Sequence, residues 1–296
     1  MNIITQKFKK LSKEIIFSMK KKEIKSILQR DRLKFSNNDI MNYVCFIFEH
    51  SVVQKTIKSM YKNMKKENIT WLKNLTYHNL LKNIRLFSKL FKYLFNQINK
   101  KLLISPSKLL NMVDTTLIPE KQAKFIHQKD WKQNRVTTRV KDNITTHVCG
   151  SKGLIFMNKF NQIYHAELVN INYSDHNFFK DSAYYFQFLK GILLADSGFS
   201  CKEVRHRLEN YFSNMNSIFK QKEKLHFISP YHYKQKLKLN QKESKLYKYR
   251  WRIETLFQNI KHNYSNNKLN LSGNYSKSIK QAKFYSTLIQ YNFSTT

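Results

Sequence analysis

Four polar residues near the C-terminus, Tyr247, Arg250, Glu254 and Lys261, have types and spacing suited to phosphate chemistry. Wrapped at about 100° per residue, they fall within roughly 60° of one another along about four turns of helix. A carboxylate so placed, with cations on both sides, has the means to hold a metal ion while Arg250, Lys261 and the Tyr247 hydroxyl meet phosphate. The plainer account is an amphipathic helix with a polar flank. That flank includes an i,i+4 pair, Arg250 and Glu254, in the weaker orientation with the cation first. Further carboxylates delivered to the same place would decide between the two.

Two apolar runs each end on an aspartate. Residues 109–113 lead into Asp114 and then Thr115-Thr116, and residues 191–195 lead into Asp196 and then Ser197-Gly198. Either alone is equally a turn former or helix cap. Acids are scarce, 19 against 54 lysines and arginines, so the repeated placement at strand ends carries weight. Adjacent strand ends, with a helix on the same sheet edge, would bring Asp114, Asp196 and Glu254 together, and such a cluster requires cations. Carboxylate-only ligation favours Mg²⁺ or Mn²⁺ over zinc. Two such ions, about 4 Å apart, would activate an attacking oxygen and stabilise a leaving one at a phosphodiester. Asp130, Asp142, Asp175 and Asp181 are the alternative acids. Asp175 is the first of these, although its Ser174-Asp175 setting reads as a cap.

The elements that must position these groups are legible in outline. Residues 246–261 contain no Gly or Pro, and Leu246, Tyr249, Ile253, Phe257 and Ile260 form the expected core face, with Trp251 partly buried beside the site. Strands are expected at 109–113, 154–157, 163–169, 191–195 and 225–229, the second and third as a hairpin. Helices are expected over 178–189, 202–210 and 277–291. Residues 128–146, with Trp131, Arg135, Arg139 and Lys141, and residues 233–245 read as basic loops. Strands with interleaved helices make an α/β fold, a mixed sheet flanked by helices.

Ahead of this lies a basic, all-helical region of about a hundred residues, ending at Ser105-Pro106-Ser107. Its helices are expected over residues 1–35, over 36–60 from the cap sequence Ser36-Asn37-Asn38-Asp39, and from Thr76 to Ile98. Such a module is a candidate helix-turn-helix reader of DNA, or a cap for packing or dimerisation. The expected division is therefore 1–107 and 108–296.

A formal net charge of +35 over 296 residues points to a polyanionic partner, nucleic acid first. The sequence is rich in Lys, Asn, Ile, Phe and Tyr and holds only 5 Gly and 3 Pro, a bias toward A/T-rich codons, so the sign of the charge means more than its size. Cys45, Cys149 and Cys201 form no CxxC pair, which fits a reducing compartment and neither a disulfide framework nor a zinc site. No secretory signal or membrane span is read, and glycine is too scarce for a nucleotide-binding P-loop. The ten histidines form no HxH or HxxxH pair and read as surface or packing residues.

Tyr247-x2-Arg250-x3-Glu254-x6-Lys261 reproduces a signature of one large group of bacterial insertion-sequence DDE transposases at all four positions. The VDTT context of Asp114 and the LLADSGF context of Asp196 resemble that family's first two acids, and the resemblance covers about residues 108–296. It implies an RNase H-like catalytic domain with Asp114, Asp196 and Glu254 as the metal triad. Tyr247, Arg250 and Lys261 would then hold DNA at the transposon end. It also implies a homo-oligomer assembled on transposon-end and target DNA, two Mg²⁺ or Mn²⁺ ions, no nucleotide cofactor, no membrane, and a cytoplasmic, nucleoid-associated place in a bacterium. Departures are Lys268, where some members carry another acid, and the glycine-poor turn after Asp196. The alternatives are a non-catalytic or inactivated DNA-binding protein, or an RNase H-like nuclease that cleaves without joining.

Overall fold

The computed structural model describes residues 3–52, 56–121, 136–141, 144–175, 177–178, 191–199, 225–230, 239–262 and 277–296, with 128, 132 and 189 singly. The expected helix over 202–210, nearly all of that over 178–189, Asp130, Asp142, Asp181, Cys201 and Lys268 lie outside them. Two compact units are formed, Met1–Leu103 with Ile260–Thr296, and Ile104–Asn259.

The first unit is helical: α1 (Ile3–Ser18), α2 (Lys21–Leu28), α3 (Asn37–Val52), α4 (Ile57–Lys66), α5 (Tyr77–Phe87) and α6 (Phe91–Lys101). The cap sequences act as read. Ser36 and Asp39 bond reciprocally at the start of α3, and the Thr76 hydroxyl accepts from the Asn79 amide at the start of α5. The expected first helix is two, because Lys20 takes an extended conformation (ψ 143°) between α1 and α2, and Gln29 in a left-handed conformation (φ 54°) closes α2. Likewise a 3₁₀ turn at Ser88–Leu90 divides the helix expected from 76 to 98. Phe8 stacks on Phe48, with ring centroids 3.7 Å apart, at the centre of this core. The last helix of the chain (Lys277–Thr295) packs among these helices, and its buried Asn292 donates to Asn99 Oδ1 at 3.0 Å.

The second unit is built on a six-stranded mixed sheet of β1 (Leu110–Lys121), β2 (Val136–Lys141), β3 (Ile144–Asn158), β4 (Ile163–Asn170), β5 (Ile192–Ala195) and β6 (His226–Ile228). The order runs β2-β3-β1-β5-β6, with β4 also paired to β3. β1, β3, β4 and β2 pair antiparallel, whereas β5 and β6 run parallel to β1. Together with the flanking helices and the helical N-terminal region, this is the RNase H-like architecture. Val113, Leu154, Phe156, Leu193, Ala195 and Phe199 form the core on one face of the sheet.

Two expectations change. β1 does not stop at Asp114 but continues to Lys121 against β3, while its parallel partner β5 stops at Ala195. Part of the supposed loop over 128–146 is strand, because β2 and the start of β3 form a ladder of Thr- and Val-rich segments. A ladder of this kind alternates polar and β-branched residues and is easily read as loop.

Candidate active site

Register places the two aspartates. Val113 pairs with Ala195 in the last rung of the β1–β5 ladder, so Asp114 and Asp196 are neighbours just beyond it. Side chains alternate across a strand. Val113 and Ala195 point into the core described above, which sends Asp114 and Asp196 to the opposite face.

The third acid comes from a broken helix. α7 (Gln241–Tyr247) is started by a capping box between Asn240 and Glu243, a 3₁₀ turn spans Lys248–Arg250, and α8 (Trp251–His262) follows. Part of the supposed loop over 233–245 is thus helical. Ile253, Leu256, Phe257 and Ile260 are buried as a helical face requires. Tyr249 and Trp251, expected in or beside the core, are exposed, and the Arg252 guanidinium lies over the Tyr249 ring. The 3₁₀ turn accounts for Tyr249, since three residues per turn in place of 3.6 shift the phase of whatever precedes α8.

Arg250 leaves that turn and meets two of the acids. Its Nη1 donates to Asp114 Oδ2 at 2.7 Å, and its Nη2 pairs with Glu254 Oε1 one turn on. Tyr247 donates a long bond of 3.5 Å from its hydroxyl to Asp196 Oδ1, and its ring lies 5.5 Å from the guanidinium. Asp114 Oδ1 accepts from the Thr115 amide at 2.7 Å. The Asp196 carbonyl accepts from the Ser229 hydroxyl at 2.7 Å and from the Phe199 amide at 3.0 Å, tying the end of β5 to the end of β6. Asp114 and Arg250 are largely buried, whereas Glu254 is half exposed.

Burial pushes the Asp114 carboxyl up to about 7. The Thr115 amide and Arg250 pull it down, and the charges of Asp196 and Asp175 push it further up. Burial likewise pushes the Tyr247 phenol up to about 12, opposed by Arg250 and reinforced by Asp196 and Asp114, so it is a donor at neutral pH. For Arg250 burial works against the charge, but Asp114, Tyr247, Asp196 and Glu254 outweigh it and hold the guanidinium more firmly protonated than usual.

The structure thus brings Asp114, Asp196, Glu254, Tyr247 and Arg250 into one neighbourhood. Lys261 lies on α8, and its side chain is outside the described residues. Among the described residues, no three His, Cys, Asp or Glu converge at metal-ligand spacing. A cation is nevertheless what the donor set asks for. Arg250, stabilised by all three acids, stands in for that charge, and an all-oxygen set of this kind suits a hard divalent ion.

Asp175, the first of the alternative acids, meets other elements of the site. Its carboxylate accepts from the Thr115 hydroxyl and pairs with Lys152, within electrostatic reach of Asp114. A Ser-Asp pair before a helix reads as a cap from the chain alone, and no local signal ties it to residues 23 and 60 positions away.

A mixed sheet in this order, with acids on neighbouring parallel strands just beyond the end of their shared ladder and a third on a helix over the same face, defines the RNase H-like class of nucleic-acid-cleaving domains. Within it, the family model described as the transposase DDE domain matches residues 106–275, more than half of the chain, and the chain belongs to that family. Membership assigns it DNA as substrate, cleavage and transfer of the transposase type, and the family's use of divalent metal ions. No curated protein and no solved structure matches the chain. No helix among the described residues is long and apolar enough to cross a membrane.

Proposed function

We propose that the protein is an insertion-sequence transposase in which Asp114, Asp196 and Glu254 hold divalent metal, Mg²⁺ or Mn²⁺ in two ions. Arg250, Tyr247 and Lys261 engage the phosphates of the transposon end. Metal at these carboxylates supplies Lewis acidity for an attacking and a leaving oxygen. In the first step a water oxygen bonds to phosphorus as a P–O3′ bond breaks, freeing a 3′-hydroxyl at the element's end. In the second, that hydroxyl bonds to a target phosphorus and displaces another 3′ oxygen. Phosphodiesters are exchanged, so no nucleotide is hydrolysed.

The side chains have separate tasks. Arg250, held protonated by its neighbours, balances the acids in the absence of substrate and has a bidentate fork matched to phosphate. The Tyr247 phenol stays protonated and donates. Ile253, Leu256 and Ile260 fix α8 so that Glu254 remains over the strand ends.

The basic helices of residues 1–107 contact the DNA end, serve in dimerisation, or both, and residues 108–296 carry the chemistry. Assembly on DNA is as a homo-oligomer, next to the chromosome of a bacterial cytoplasm. The observation that supports this reading most is the Val113–Ala195 rung, beyond which Asp114 and Asp196 stand side by side, with Arg250 joining Asp114 to Glu254. Incubating the purified chain with Mn²⁺ and duplexes carrying the inverted repeats that flank its gene tests it. Nicked and joined products that vanish in Glu254→Gln are expected. Cleavage without joining would make the protein a nuclease, and full activity of Glu254→Gln would remove the assignment.

A further inference from the structure

Asp175 stands outside the three acids assigned above, yet three elements of the site meet on it. Its Oδ1 accepts from the Thr115 hydroxyl at 3.1 Å and from Lys152 Nζ at 3.0 Å. Lys152, from β3, also donates to the Tyr173 carbonyl at 2.8 Å, which fixes the ammonium from both sides. The other oxygen faces the turn after β5, where a Cβ added to Gly198 would stand only 2.9 Å from Asp175 Oδ2. Thr115 follows Asp114, and its amide holds Asp114 Oδ1. Gly198 lies two residues past Asp196, in the 3₁₀ turn whose Phe199 amide donates to the Asp196 carbonyl. One carboxylate therefore bonds the residue after Asp114 and lies against the turn that follows Asp196.

We propose that Asp175 is a positioning residue for strand cleavage: it locks Thr115 and the Ser197–Phe199 turn against each other and so sets the spacing of Asp114 and Asp196. The proposal rests on the reading of those two acids as the metal-holding pair. Lys152 neutralises Asp175, and Oδ1 is engaged by two donors, so this carboxylate is committed to holding the frame. Bonds to a charged acceptor are stronger than those between neutral groups. A displacement of about 1 Å at reacting groups costs about 100-fold in rate. Gly198 belongs to the same device, because any side chain there would press on the carboxylate.

The test compares Asp175→Ala, Asp175→Asn, Thr115→Val, Thr115→Ser and the double variant Asp175→Ala/Thr115→Val in the full chain with Mn²⁺ and end-bearing duplex. In parallel, amide hydrogen exchange is followed at Thr115 and Phe199 in the protein alone. Asp175→Ala and Thr115→Val should each lower kcat about 100-fold while the Kd for DNA stays put. Asp175→Asn, which keeps an acceptor oxygen, and Thr115→Ser, which keeps the hydroxyl, should restore most of the rate. The double variant should be no slower than Asp175→Ala alone. Both amides should exchange faster in Asp175→Ala and near the wild-type rate in Asp175→Asn. Multiplying losses in the double variant, or exchange unchanged in Asp175→Ala, would overturn the proposal. So would an Asp175→Asn chain as inactive as Asp114→Asn that has also lost Mn²⁺ binding, since Asp175 would then be a ligand. Exchange is read without DNA or metal, so a wild-type chain that fails to cleave sinks the functional reading and leaves the positioning role separately decided.

Discussion

The guanidinium of Arg250 donates to Asp114 Oδ2 at 2.7 Å, although 136 residues separate the two in the chain. This bond joins the 3₁₀ turn before α8 to the middle of β1, and Arg250 also pairs with Glu254. Removing one member of a buried ion pair that keeps its charge costs about 3–5 kcal/mol. Here Asp114 has an escape, because its carboxyl already sits near 7 and protonates once the cation is gone. Arg250→Gln should therefore lower the unfolding free energy by only about 1–3 kcal/mol, read by urea denaturation at pH 7. The same variant should lose strand cleavage. A stability loss of the full buried-pair size would mean that Asp114 stays ionised.

The raised pKa of Asp114 fixes the sign of a pH effect. Its folded value, about 7, lies above the ordinary 3.8, so the folded state holds the proton more tightly than the unfolded state does. The resulting stabilisation is complete below pH about 4 and is lost as pH rises through 7. Measured against Asp114→Asn, the wild type should therefore lose relative stability, on the order of a few kcal/mol, between pH 4 and pH 7. Mn²⁺ binds the ionised carboxylate and should reverse the trend at pH 7 and above. Parallel pH profiles of the two proteins in thermal unfolding would contradict the assignment.

How much of this was legible in the sequence depends on the range of the interaction. Ser36, Thr76 and Asp196 just past the end of β5 were readable because caps and strand ends are set by a few adjacent residues. The β3–β4 hairpin was readable for the same reason. The continuation of β1 past Asp114 was not, since it depends on β3 outlasting β5 as a partner. Nor was the 3₁₀ turn at 248–250, because the apolar spacing of residues 246–261 fits an unbroken helix. Asp175 reads locally as a cap, whereas its actual partners, Thr115 and Lys152, are tertiary. The last helix was expected, but not its packing among the N-terminal helices: it is buried nearly all round and includes Thr287, Gln290 and Asn292, a composition that does not announce a core helix.

Glu254 separates chemistry from stability. Its side chain is half exposed, and its i,i+4 pairing with Arg250 belongs to a class worth about 0.3–0.5 kcal/mol. Glu254→Gln should change stability by no more than about 0.5 kcal/mol, leave DNA binding in place, and abolish nicking with either Mg²⁺ or Mn²⁺. Gel-shift and cleavage assays on one preparation check this together. Weakened DNA binding with cleavage retained per bound duplex would make Glu254 a substrate-binding group and not a member of the metal set.

The helical unit makes a separate prediction about affinity. Between α2, α6 and the final helix lies a cavity of about 660 Å³ whose lining includes Lys89, Lys92, Tyr93, Asn96 and Lys277. Lys89 bonds the Leu28 carbonyl and the Gln29 side chain, so reversing it would also disturb the end of α2. Lys92 and Lys277 come from two different helices and are the residues to reverse. If this concave basic surface tracks a DNA backbone, every phosphate deprived of its lysine lowers the slope of log affinity against log salt by about 0.9. Lys92→Glu combined with Lys277→Glu should reduce that slope by about 2 and weaken binding at least about tenfold at low salt. Fluorescence anisotropy between about 50 and 200 mM salt measures both. The cleavage rate at saturating DNA should hold, because the acids lie in the other unit. An unchanged slope would take this cavity off the DNA path and leave dimerisation as the task of these helices.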